Sequence, residues 1–136
     1  MHTTNYANTF IAVSPDTVAT ASRVPEKAGS VAALQWAMIQ AAPYTYTSDD
    51  VIFAVHAERK EIAEADRAAA RAAFFSKGQP CLRSSPLVKT HGWGVHHDDK
   101  GRVALVGRDS AAYAALSARQ DLTIVAGMRS KRARAK

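Results

Sequence analysis

The run GWGVHHDDKGRVALV, residues 92–106, constrains the fold more than any other stretch. Residues 92–97 and 102–106 read as two strands joined through Asp-Asp-Lys-Gly. Asp98 or Asp99 can open a type I turn, and Gly101 can take the positive φ of a G1 bulge. The prediction is a β-hairpin, so any sheet in this chain contains at least one antiparallel pair.

The rest of the chain is read around that hairpin. Thr9 to Val13 is a short apolar run ended by Ser-Pro, a strand. Residues 14–29 have loop composition and exceed most connections in compact domains, which marks them as functional or mobile. Ser30 is a suitable N-cap for a helix over 31–42, with Val31, Leu34, Met38 and Ala42 as its inward line and Pro43 as its stop. Trp36 falls off that line, as a half-covered rim residue or as a ligand or dimer contact. Val51 to Ala57 alternates, and both sides are apolar, which predicts an inner strand. Residues 61–78 follow as a helix with a line of Ile62, Ala65, Ala69 and Ala72, mostly alanine, toward a sheet and Gly78 as its left-handed stop. Asp109-Ser110 caps a short helix bearing Tyr113 and Leu116, and Leu122 to Ala126 is the last strand. The expected fold class is α+β: one mixed, partly antiparallel sheet of about five strands, with two to three helices packed on it.

Length and charge narrow the class. A chain of 136 residues is one domain long. No apolar run approaches a membrane span, and MHTTNYANTF has neither the basic start nor the apolar core of a signal peptide. A single cysteine cannot close an internal disulfide, so a cytoplasmic location is expected. Of the 18 Lys and Arg, five lie in residues 129–136, which leaves 13 basic against 12 acidic residues in 1–128. The chain therefore divides into an α+β domain over 1–128 and a basic tail over 129–136. The basic pI belongs to the tail, and nucleic-acid binding is expected only weakly and through it.

Chemistry-bearing residues crowd between Phe74 and Asp99. That stretch holds the only cysteine and three of the five histidines, with enough glycine and proline to fix an irregular backbone. MHTTNYANTFI, YTSDDVIFAV and FFSKGQPCLRSSPLVKTHGWGVHHD together resemble a family of small bacterial proteins known only as a domain of unknown function. The similarity runs over nearly the whole chain, and SKGQPCLRxSPL followed by GWGxH is its most specific marker. The resemblance implies no activity. By its pattern Cys81, Arg83, Ser85, Pro86, Trp93, Gly94, His96 and Asp98 occupy motif positions. An aromatic commonly stands in the family where this chain has His91 or His97, which counts against those two as shared functional groups.

The stretch has the residue types for several chemistries. Cys81 has Arg83 and His96 as prospective partners for a thiolate, yet it follows a helix C-terminus and lacks a cysteine-hydrolase signature; its plain reading is a small buried side chain. Cys81, His91, His96, His97, Asp98 and Asp99 are metal-ligand types, but adjacent His96 and His97 point to opposite faces of a strand, so no metal and no cofactor is expected. Ser84, Ser85, His96 and Asp98 offer triad residue types without a nucleophile elbow. Arg83, Ser85 and Lys89 suit an anion, with Trp93 as a wall and His96, oriented by Asp98, as a hydrogen-bonding or proton-carrying group. Against this stands the reading in which these side chains only fasten loop backbone and fill the core. The expectation is therefore a domain for a small anionic ligand that uses residues 78–98. The alternative is a homodimer with the same motif at its interface. Whether the protein is an enzyme stays open, with Cys81, His96 and Asp98 as the candidate catalytic groups.

Overall fold

The computed structural model describes residues 2–129. In chain order it contains β1 (Thr9–Ala12), α1 (Val31–Ala41), α2 (Ser48–Arg59), a 3-10 turn (Glu64–Asp66), α3 (Arg67–Phe74), a second 3-10 turn (Leu82–Ser84), α4 (Pro86–Thr90), β2 (Trp93–His97), β3 (Val103–Gly107), α5 (Ala111–Ser117) and β4 (Thr123–Ala126). The four strands form one sheet in the order β3-β2-β1-β4. β2 is antiparallel to both β3 and β1, whereas β4 runs parallel to β1. The fold is α+β with a mixed sheet, as expected, and has one strand fewer than expected.

The missing strand is residues 51–57, which are helical. Thr47 Oγ1 accepts the Asp50 N–H at 3.2 Å and the Asp50 carboxylate accepts the Thr47 N–H at 3.0 Å, a complete capping box that starts α2. The alternation that suggests a strand has a helical cause. Val51 faces the main core with Ile11, Ile39, Leu82, Val88, Val95 and Val103. Phe53 and Ala57 face a second cluster around Phe75. Residues two apart on a helix are separated by about 200°, so a helix buried on opposite sides imitates the period of a strand.

Two helices differ in detail from expectation. The inward line of α1 is Ala32, Gln35 and Ile39, one residue out of register with the predicted line. α3 is shorter than residues 61–78; its alanines 69 and 72, and Ala65 in the 3-10 turn before it, face solvent. Methyl groups bury little area, so this part of the chain is held by Phe75 at its end. Gly78 has no positive φ; the left-handed residue near this helix is Glu61, before it.

The hairpin, the Ser110 cap of α5 and β4 lie where the sequence puts them. Gly101 has a φ of 77°. The long segment before α1 is tied down at several points. Arg23 N–H donates to His91 O at 2.8 Å, Ser22 Oγ donates to Asp109 Oδ1 at 2.8 Å, and Arg108 Nη1 donates to Ala19 O at 2.7 Å. Among the described residues no helix is long and apolar enough to cross a membrane. Of the basic tail, residues 130–136 lie outside the described residues.

Candidate functional site

The motif side chains mostly fasten backbone. Ser85 Oγ caps α4 by accepting the Leu87 N–H at 3.1 Å, and its hydroxyl lies 2.5 Å from Gln35 Oε1. Arg83 Nε donates to Ala126 O at 2.8 Å, at the end of β4. Trp93 Nε1 donates to Arg23 O at 2.8 Å and so pins the long loop. Asp98 accepts the N–H groups of Lys100 and Arg102 and the Arg102 guanidinium, which closes the hairpin turn. Burial alone would raise its carboxyl, but these donors together hold it below the usual carboxylate range. Lys89 is half-buried on α4 and makes no ion pair among the described residues.

Arg83, Trp93 and His96 are not brought together. Trp93 and His96 are three residues apart on β2, so their side chains leave opposite faces of the sheet. His96 Nδ1 is bonded to the Tyr44 hydroxyl at 2.8 Å, the position expected for Asp98. Its pKa is lowered, chiefly by burial, with the Arg119 cation adding to the effect against Asp98 and Asp121. Ser85 and His96 likewise bond different partners. His97 is fully buried, edge-on to Tyr6 at 5.3 Å between ring centroids. Cys81 Sγ lies 3.2 Å from the Tyr6 hydroxyl. Among the described residues no three His, Cys, Asp or Glu side chains gather as a metal-binding group.

A different part of the motif does face a cavity. Residues 79–81 and 84–86 form one wall of a cleft of about 250 Å³, with the start of α1 and the second half of α2 opposite. The apolar lining comes from Val31, Ile52, Val55, Phe74, Pro80 and Pro86, and the polar lining includes Gln35, Cys81, Ser84 and Ser85. His56, Arg59 and Lys60 add basic groups at the C-terminal end of α2, and no carboxylate is among the lining residues. Arg59 and Lys60 are exposed and make no ion pair among the described residues. The His56 and Phe74 rings stack on each other, 4.5 Å apart between centroids and tilted by 34°.

Gln35, His56, Arg59 and Lys60 are not among the site residues expected from sequence. A signal for Gln35 exists: it falls three residues after Ala32 and four before Ile39, a polar residue on an apolar helical line. The α2 residues are hidden by the strand-like alternation of their segment.

Comparison with known proteins agrees with the resemblance read from the motif. No curated protein and no solved structure matches the chain. The sequence model of the DUF6157 family, described as a family of unknown function, matches residues 1–133, and the chain belongs to that family.

Proposed function

We propose that this protein binds a small molecule with an apolar body and an anionic group in the cleft between α1, α2 and residues 79–86. The observation that carries the reading is the lining: an apolar wall ending in three basic side chains, with no carboxylate among the residues that face the cleft. At about 250 Å³, the cleft falls just under the range of roughly 300–1,000 Å³ typical of drug-sized ligands, so the guest is metabolite-sized. The carboxyl end of α2 works against an anion with about half a negative charge, but Arg59 and Lys60 bring two full positive ones. The family motif takes part through Gln79–Pro86, while Arg83, Trp93 and His96 serve the scaffold. A free thiol at Cys81 suits a reducing compartment, and we place the protein in the cytoplasm on that ground.

The reading is tested with 4-phenylbutyrate and its neutral amide. The carboxylate should raise the unfolding temperature in a concentration-dependent way and slow alkylation of Cys81 by iodoacetamide. The amide should do both less well, and Arg59→Gln with Lys60→Gln should remove the difference. No thermal shift at millimolar carboxylate, together with unchanged Cys81 alkylation, would overturn the proposal.

A further inference from the structure

Gln35 is 5% exposed and lines the cleft. Its amide oxygen is identified by geometry. The 2.5 Å separation from Ser85 Oγ suits an O–H···O bond and is short for N–H···O. Ser85 Oγ already accepts the Leu87 N–H, so its single proton is available to Gln35. The amide nitrogen therefore points away from Ser85; no protein acceptor meets it among the described residues, and it is not one of the sealed polar atoms, so solvent in the cleft reaches it. Two N–H donors thus stand in the wall of an apolar cleft, open to water and to any guest that displaces it. A guest that displaces that water must supply an acceptor of its own or leave the donors unpaired at a cost in affinity.

We propose that Gln35 determines ligand specificity: granted the small-molecule reading of this cleft, on which the inference rests, the guest carries a carbonyl or carboxyl oxygen that accepts from Gln35 Nε2. Arg59 and Lys60 stand on α2 and Gln35 on α1. One guest meets them with two polar groups, an anionic one at the basic end and an acceptor set along its apolar body. Oxo-carboxylates and acylated amino acids are the chemical class that has both. Ser85 acts as a positioning residue, since its hydroxyl fixes which way the amide faces.

The test compares 4-phenylbutyrate with 4-oxo-4-phenylbutyrate, which adds one acceptor, by isothermal titration on the full chain. The oxo acid should bind the wild-type protein roughly three- to tenfold tighter, the value of one hydrogen bond. In Gln35→Met that preference should vanish, while 4-phenylbutyrate keeps its affinity within about twofold. Gln35→Glu retains the shape and the acceptor for Ser85 but offers no donors, so there the preference should reverse; it also serves if the Met variant fails to fold. Equal binding of the two acids by wild type, or a preference that survives substitution, overturns the role of Gln35 and leaves the cleft reading standing. Failure of both acids to bind wild type overturns both.

Discussion

His97 makes the fold sensitive to acid. Its side chain is 0% exposed, and neither ring nitrogen reaches a partner with hydrogen-bond geometry. Burial is the main reason its pKa falls from 6.5 to about 4, and neighbouring His96 adds to the fall. Backbone groups of Val95 and Thr9 and the Asp98 carboxylate oppose it only in part. The folded state therefore rejects a proton that the unfolded chain accepts below pH 6.5. Stability from this residue is fully present above that pH and is lost as the pH falls through the folded value. A tenfold change in proton affinity corresponds to about 1.4 kcal/mol, so the whole effect is about 3 kcal/mol, most of it lost between pH 7 and pH 4.5. His97→Phe keeps a ring against Tyr6 and removes the titration. Urea unfolding of both proteins across that range, followed by far-ultraviolet circular dichroism, gives the difference in stability at each pH. Asp50, Asp109 and Asp121, all held below the usual carboxylate range, titrate in both proteins and cancel. The wild type should lose stability relative to the variant as the pH falls. A difference flat to within about 0.5 kcal/mol would refute the reasoning, because His97 would then be taking up its proton in the folded state without cost.

Two further substitutions test how the motif builds the fold. At Gly92, φ is 76° and an added Cβ would lie 2.3 Å from Ala21 O, a backbone atom. Gly92→Ala should therefore cost more than about 2 kcal/mol in urea unfolding and red-shift tryptophan emission as the loop lifts off Trp93; a loss under about 0.5 kcal/mol would contradict this. Arg83→Ala removes the bond to Ala126 O on the outer edge of β4, beside Ile124, which is 40% exposed. It should change stability by no more than about 1.5 kcal/mol, increase concentration-dependent self-association in sedimentation, and leave 4-phenylbutyrate affinity unaltered. A loss of affinity would mean that Arg83 touches the ligand after all.

The parts of the fold legible in sequence are those fixed by local chemistry. Asp-Asp-Lys-Gly dictates its own turn, because Asp98 collects the turn's N–H groups and Gly101 takes the positive φ. Ser110 caps α5 for a similarly local reason. α2 resists such a reading because its surroundings, two clusters on opposite sides, write a strand-like alternation onto a helix. The Thr47–Asp50 capping box is the local signal that outweighs that pattern. A meeting of Trp93 with His96 is excluded by the same two-residue period that separates His96 from His97. Arg83 is different: that its guanidinium reaches Ala126, 43 residues away in the chain, depends on how β4 pairs with β1.

The motif's concentration of reactive residue types is better explained by construction than by reaction. Between β2 and the helices the chain must turn repeatedly, and buried backbone N–H and C=O groups in such turns need partners. Arg83, Ser85, Trp93 and Asp98 supply them, each to a segment that lacks a regular ladder at that point. A side chain so engaged has little left to offer a ligand. Among the described residues, the unengaged groups include the Gln35 amide nitrogen, Arg59 and Lys60, which line one cleft, whereas Lys89, the motif's unengaged cation, does not line it. Ser85 joins the two sets, since the hydroxyl that caps α4 also sets the Gln35 amide. Removing it should therefore affect both at once. In Ser85→Ala the helix loses its cap, at a cost of about 1 kcal/mol in urea unfolding, and the amide is free to turn over. The preference for an oxo acid should then weaken while binding of the simple acid persists. Stability lost without any change in that preference would show that the cap and the cleft are independent, and that Gln35 is held by something other than the motif.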